Sequence, residues 1–578
     1  MRPLVLLPLT ALCLSCAETP PRLESFEGPG GVIAPRATPA AFAAETDPDG
    51  EAAGLFAAAE THFAAGRYRE AAGRYRESID LAPTLAARLN LGIALLSVSE
   101  FAPATAAFRS GLDQSRRRDD QAFIAAFLGN LGNALANQNN LDDALAAFKE
   151  ALAIYRRHER PAEEAESLGN IGMVHFLQSD LDGAQSLLAE ALAINRRIDH
   201  RRGIAQDLDR HGTIHILRGE LDSALTRYQD ALTINRAIGY RRGEGRVLGN
   251  IGNVRFERGE LDHAHKAYED ALAIYREIGY RRGQLTQLNG IGLVHRRQGD
   301  LEAAVTALRQ AIKLSRQIAP ASEVAALLGE IGKIHFLQGQ LAEALAAHEE
   351  ALALFVATNQ LREQATQLDN IGTVHILRDQ RQEALGFYLR ALEIFRELDH
   401  PSGQAEQLDK LGALYHSLGR YDEALAAYGD ALAIYRRFDR HVEGATQLDN
   451  IGAVHVQLGD LPAALHAYEE ALHIFTRLGH RQGQAAELSN IGNIRFNLNQ
   501  LDRARTAFQD ALYIFGLIDH PRGQADCLGN IGLVHRDQGR IPEAMDNLHK
   551  ARAIYDRIGA HSEGSQRVAA AIAKLEKD

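Results

Sequence analysis

The sequence predicts an all-α fold, a solenoid of antiparallel helix hairpins, from three columns of small residues. Glycine recurs at Gly92, Gly132, Gly172, Gly212, Gly252, Gly292, Gly332, Gly372, Gly412, Gly452, Gly492 and Gly532, twelve times at a constant step of 40. Twelve positions after each of these glycines stands alanine, from Ala104 to Ala544. Nineteen positions after it alanine stands again, from Ala151 to Ala551, with Gly111 as the one variant. Register this strict marks a stacked array, and side chains this small let two antiparallel helices approach closely.

The 40-residue unit divides into two helices, A and B. Seven positions past the glycine stand residues that tolerate the left-handed conformation ending a helix, such as Asn139, Gly219, Gly259, Asp379, Gly459 and Asn499. Asp142, Asp182, Asp222, Asp262, Asp422 and Asp502 then suit the start of helix B, and Pro462 and Pro542 fit its first turn. Helix B shows an apolar face, as in Leu261, Ala264, Tyr268, Ala271, Leu272 and Tyr275, and ends at Gly239, Gly279, Gly479 and Gly559, or at Asp elsewhere.

Length and composition set outer limits. At 578 residues, of which 46% are hydrophobic, length alone would suggest several globular domains, and the repeats overrule that count. A net charge of -12 supplies no bulk positive field for a nucleic-acid backbone. The three cysteines, Cys13, Cys16 and Cys527, offer no disulfide framework, since two lie in the leader.

Residues 1–16 read as a secretory signal, with Arg2, an apolar stretch from Leu4 to Leu14, and small residues at its end. The segment resembles a bacterial lipoprotein signal. That resemblance implies diacylglyceryl attachment at Cys16 and an exported, lipid-anchored protein of the cell envelope; the alternative is ordinary cleavage after Ala17 and a periplasmic or secreted product. Residues 17–54, rich in Pro, Gly and Ala, read as a flexible linker. About 13 repeats fill residues 55–560, the first of a shorter, 34-residue form running through Gly66, Ala71 and Tyr75 to Pro83. Residues 561–578 read as a capping helix with Val568, Ile572 and Leu575 on one side.

The pattern Leu248, Ile251, Gly252, Arg255, Ala264, Tyr268 and Ala271 resembles the tetratricopeptide repeat family, with histidine or arginine mostly replacing the family's aromatic of helix A. The 40-residue step with Leu-Gly-Asn-Ile-Gly, as at Leu248 to Gly252, is similar to Pins-type polarity adaptors and kinesin light chains. The resemblance implies a right-handed superhelix whose A helices line a concave groove for polypeptide ligands.

Along that face, two residues before the glycine, stand Asn90, Asn130, Asn170, Asn250, Asn370, Asn450, Asn490 and Asn530, interrupted by Arg210, Gly290, Glu330 and Lys410. A carboxamide donates to a peptide C=O and accepts from a peptide N–H together, so a row of them suits an extended backbone. The other reading is that these asparagines bond the neighbouring repeat and hold the stack in register. One residue earlier stand Asp209, Asp369, Asp409 and Asp449, with Glu406 nearby; these carboxylates either attract basic partner segments or pair with basic groups of the array such as Lys410.

His175, His215, His295, His335, His375, His455 and His535 share the place three residues past the glycine. Stacked helices are on the order of 10 Å apart, too far for one zinc ion to be shared down that column, so packing with one ring nitrogen hydrogen-bonded is the expectation. His211 and His215 are spaced for a metal, without a third ligand or the glutamate of an HExxH motif. Cys527 reads as a packed thiol, and no phosphate loop, nucleophile elbow or dinucleotide fingerprint is present.

The function expected is a non-catalytic adaptor that binds partner proteins, with no cofactor, nucleic acid or small-molecule substrate. A peptide-sensing regulator, in which a ligand changes the pitch of the array, is the alternative, and a metallohydrolase at His211 the remote one.

Overall fold

A computed structural model describes residues 37–47, 50–98, 100–560 and 562–576. The signal, Cys16 and the first part of the linker lie outside the described residues. Every regular element described is an α-helix. The chain divides into two compact units, Met1–Ala347 and His348–Asp578.

In the first unit a short α1 (Pro39–Ala43) precedes the hairpin of α2 (Glu51–Ala64) and α3 (Tyr68–Leu81). Helices A and B then alternate: α4 (Leu85–Ser97), α5 (Phe101–Arg117), α6 (Gln121–Asn137), α7 (Leu141–Arg157), α8 (Pro161–Leu177), α9 (Leu181–Arg197), α10 (Arg201–Leu217), α11 (Leu221–Ala237), α12 (Arg241–Glu257), α13 (Leu261–Glu277), α14 (Arg281–Gln298), α15 (Leu301–Ile318) and α16 (Ala321–Leu337). After α17 (Leu341–Ala357), the second unit continues as α18 (Leu361–Leu377), α19 (Arg381–Glu397), α20 (Pro401–Ser417), α21 (Tyr421–Arg437), α22 (His441–Leu458), α23 (Leu461–Arg477), α24 (Arg481–Asn497), α25 (Leu501–Leu517), α26 (Pro521–Asp537), α27 (Ile541–Arg557) and α28 (Glu563–Leu575).

The small residues do what close packing requires. Both alanine columns are fully buried, and the glycine of helix A leaves room for a ring of helix B. A Cβ on Gly252 would lie 2.6 Å from the Tyr268 ring, and one on Gly452 2.6 Å from that of Tyr468. The loops follow from the residues able to take positive φ: Asn139, Ser179, Gly219 and Gly259 after helix A, and Asp119, Glu159, Asp199 and Gly239 after helix B. The aspartates expected at the start of helix B sit in its first turn, facing the positive end of the helix dipole, while the cap is the residue before the helix, as where Asp180 accepts from the Gly183 N–H at 2.9 Å.

Two details differ from the sequence reading. Ala319 and Pro320 close α15 without a left-handed residue, Ala319 being extended at φ -115°. The second lies in residues 17–54, read as flexible linker. Part of that stretch is helical: α1 packs against α2 and α4, and α2 begins at Glu51. The physical reason is an apolar seat for Phe42, which is buried and stacks on Phe56 with ring centroids 4.3 Å apart.

Candidate interaction face

Successive A helices touch one another, α4 with α6, α8 with α10 and α12 with α14 in the first unit, α20 with α22 and α24 with α26 in the second. On each A helix the places six, three and two residues before the glycine and one after it share a side, as in Glu406, Asp409, Lys410 and Ala413. The asparagine and aspartate rows both belong to this side.

Within the first unit, Asn170 accepts from Arg210 at 2.8 Å, and Asn250 donates to Asp209 at 2.8 Å. Asp209 also takes Arg246 at 3.0 Å. Asn130 donates to the Ala126 carbonyl of its own helix at 2.9 Å, and its Oδ1 is buried without a hydrogen bond among the described residues. Within the second unit, Asn450 reaches Asp409 at 3.4 Å, Asn490 donates to Asp449 at 2.9 Å, and Asn530 accepts from Arg567 at 2.9 Å. Asp369 holds the Lys410 ammonium at 2.5 Å and the Gln407 amide at 2.9 Å, and Asp409 takes Gln447 at 3.1 Å. Asn370 is buried with its Nδ2 unpaired among the described residues.

Most of the row is therefore engaged between neighbouring repeats, each aspartate receiving the amide or ammonium that the following repeat presents. This is the register-holding arrangement, and it couples the stability of one repeat to the next. Asn90 is different. Its Oδ1 accepts from the Ala37 N–H at 2.9 Å and its Nδ2 donates to the Ala37 C=O at 2.9 Å, so one carboxamide holds both main-chain groups of one residue. Glu60, from α2, orients it by accepting from the same Nδ2 at 2.9 Å.

At Arg210, where asparagine is interrupted, a buried ionic cluster forms. Gly169 makes space for it, since a Cβ there would lie 1.8 Å from the guanidinium. Burial pushes the Glu166 carboxyl up to about 7 and Asp207 up to about 6, with the Arg210 charge opposing both rises. Arg210→Ala is expected to lower stability by about 2–4 kcal/mol at pH 8, because two buried carboxylates lose their counter-charge. Near pH 5 both carboxyls are protonated and the loss shrinks; urea unfolding at the two pH values measures the difference.

Part of the histidine column anchors loops, while Nδ1 of His295, His455 and His535 is buried without a hydrogen bond among the described residues. His175 Nδ1 lies 2.8 Å from Asp180, His215 Nδ1 2.6 Å from Glu220 and His375 Nδ1 3.0 Å from Gln380, each pairing with the residue before helix B. His211 is buried, and that burial lowers its pKa. Among the described residues no three His, Cys, Asp or Glu side chains gather closely enough to hold a metal ion. Burial pushes the Cys527 thiol up to about 12, which leaves it protonated and a poor nucleophile.

Sequence reasoning missed Glu60, which orients Asn90, the residues Phe42 and Glu45 that follow Ala37, with Arg118 paired to Glu45, and Glu487. For Glu487 the signal was present. Gln287, Gln367, Gln407 and Gln447 hold the place five residues before the glycine, and Glu487 breaks that column.

Models of the tetratricopeptide repeat match residues 56–122, 124–159, 163–237, 404–477 and 484–557, and a MalT-like TPR region matches residues 207–385. The chain is a tetratricopeptide repeat protein. No curated protein matches it. Among solved structures, it is similar to BtubC (BKLC) from P. vanneervenii, at 20% identity over 38% of this chain and 92% of that one, with a TM-score of 0.35. The apo form of RapI matches at 16% identity over 48% of this chain and 99% of that one, TM-score 0.36. The Cut9-Hcn1 hetero-tetramer of the APC/C matches at 14% identity over 93% of this chain and 98% of that one, TM-score 0.34. Tetratricopeptide arrays of this kind support a role in protein interaction.

Proposed function

We propose that this tetratricopeptide array is a non-catalytic scaffold that holds extended polypeptide segments of partner proteins on the face of its A helices. The observation that carries the reading is Asn90, whose carboxamide takes both main-chain groups of Ala37. Such a contact reads backbone rather than side chain, which suits a scaffold with more than one partner. A photo-crosslinking residue at Ala413 or Asn493, both exposed on this face, tests it in the native host. Partner polypeptides are expected to crosslink there and not from Glu350 or Asp430 on B helices. Crosslinks confined to the B-helix positions would refute the reading.

The carboxylates give the face a preference for basic segments, with a ligand lysine or arginine taking the place that Lys410 holds on Asp369. Asp369→Asn, Asp409→Asn and Asp449→Asn together are expected to weaken partner capture several-fold and flatten its salt dependence. Unchanged capture would leave these groups with the register role alone.

The protein reaches the cell envelope through a lipid on Cys16 in this proposal. Labelling of host cells with an alkyne fatty acid is expected to mark the wild type and not Cys16→Ala; equal labelling of both would overturn the anchor.

A further inference from the structure

We propose that the first hairpins carry a peptide-binding site filled in cis by the chain's own Ala37–Glu45, and that a partner segment of the same chemistry exchanges with it. The inference rests on the scaffold reading above and deepens it, by naming where a segment binds and what it must contain.

Three anchors define the ligand. The first is main-chain: Ala37 pairs with Asn90 through its N–H and its C=O, both at 2.9 Å. Five residues on, Phe42 enters an apolar seat against Phe56, whose ring lies 5.5 Å from that of Tyr75. Three residues further, the Glu45 carboxylate accepts from the Leu85 and Ala86 N–H groups at 3.0 and 3.1 Å and meets the Arg118 guanidinium at 2.6 Å. Those two amides open α4, where Thr84 already serves the third, Ala87, at 3.2 Å. The carboxylate thus completes a helix N-terminus that the array itself leaves short of acceptors.

The receiving groups are preset independently of the segment. Glu60 fixes the Asn90 amide, and the Tyr75 hydroxyl donates to Glu60 in turn. The segment, by contrast, has little to hold it except these anchors. Its helix is five residues, far below the length that persists alone, and Ala40, Ala43 and Ala44 face solvent. Exchange therefore breaks three local anchorages and no extended secondary structure. The ligand class is an extended residue followed by an aromatic five positions on and an acid three beyond that.

The test uses the full chain and a fluorescent synthetic peptide of residues 35–47, read by anisotropy. Phe42→Ala with Glu45→Gln in the chain releases the cis segment, and this variant is expected to bind the peptide at least about tenfold more tightly than the wild type, whose site is occupied. Adding Asn90→Ala or Arg118→Ala is expected to abolish that gain, and a peptide with Glu45→Gln is expected to bind the released chain about tenfold more weakly. A released chain that binds no better than the wild type, or binding indifferent to Asn90, would overturn the proposal. A second arm leaves Phe42 and Glu45 in place: Asn90→Ala alone should speed proteolytic cleavage within residues 37–50, and unchanged cleavage counts against the site. Loss of peptide binding with crosslinks retained at Ala413 and Asn493 defeats the cis ligand alone; the reverse outcome defeats the scaffold reading.

Discussion

Glu487→Gln is expected to raise stability by about 1–3 kcal/mol at pH 8 and by almost nothing at pH 4. In four other repeats the place of Glu487 holds glutamine, and of these Gln407 and Gln447 each donate to the aspartate of the preceding repeat. Glu487 faces Asp449 instead, with its Oε2 buried and unpaired among the described residues. Burial first, and then the Asp449 charge, hold its carboxyl far above the usual carboxylate range, while Asn490 pulls the other way. Asp449 is itself raised by burial. A folded-state pKa above the unfolded value, roughly 4, means that stability is full below that value and declines as pH rises toward the folded one. Glutamine carries no titrating proton and can donate to Asp449 as Gln407 and Gln447 do to their aspartates, so the variant loses the decline. Thermal midpoints at pH 4, 6 and 8 measure this, and a gain equal at all three would assign the effect to something other than the carboxyl.

Gly252→Ala is expected to destabilise by about 1–2 kcal/mol although alanine is the better helix former. The added Cβ meets Tyr268 Cε1 at 2.6 Å and Cδ1 at 2.7 Å, and that ring is buried with its hydroxyl bonded to Asn253 at 2.7 Å. Intrinsic preference returns up to about 1 kcal/mol, less than the overpacking costs. Gly172 is the control. Leucine replaces the aromatic there, and its Cβ would find the Ala184 carbonyl at 3.2 Å and Leu188 Cγ at 3.3 Å. Gly172→Ala is therefore expected within about 0.5 kcal/mol of wild type. Chemical denaturation of both variants decides it; equal effects would mean that the ring does not set the glycine requirement.

The glycine column also shows why the repeats were legible. A glycine beneath a ring, an alanine between two backbones and a left-handed loop residue are each imposed by local geometry, so residue identity reports structure directly, as at Gly252, Ala264 and Gly259. Pairing across repeats is less legible. The sequence places Asn490 and Asp449 in adjoining columns, but which neighbour a side chain takes depends on the offset between stacked helices, and that offset is a packing result. The docking of Ala37–Glu45 left no periodic trace, because five helical residues complete little more than one turn and Phe42 is their single apolar anchor.

The claim that an A-helix asparagine holds polypeptide main chain is tested most directly by site-resolved hydrogen exchange at the Ala37 amide in the full chain. Strong protection in the wild type, lost in Asn90→Ala while the amides of α6 stay protected, is the predicted result. Exchange of the wild-type Ala37 amide at the rate of an unstructured peptide, or protection that survives removal of Asn90, would contradict it.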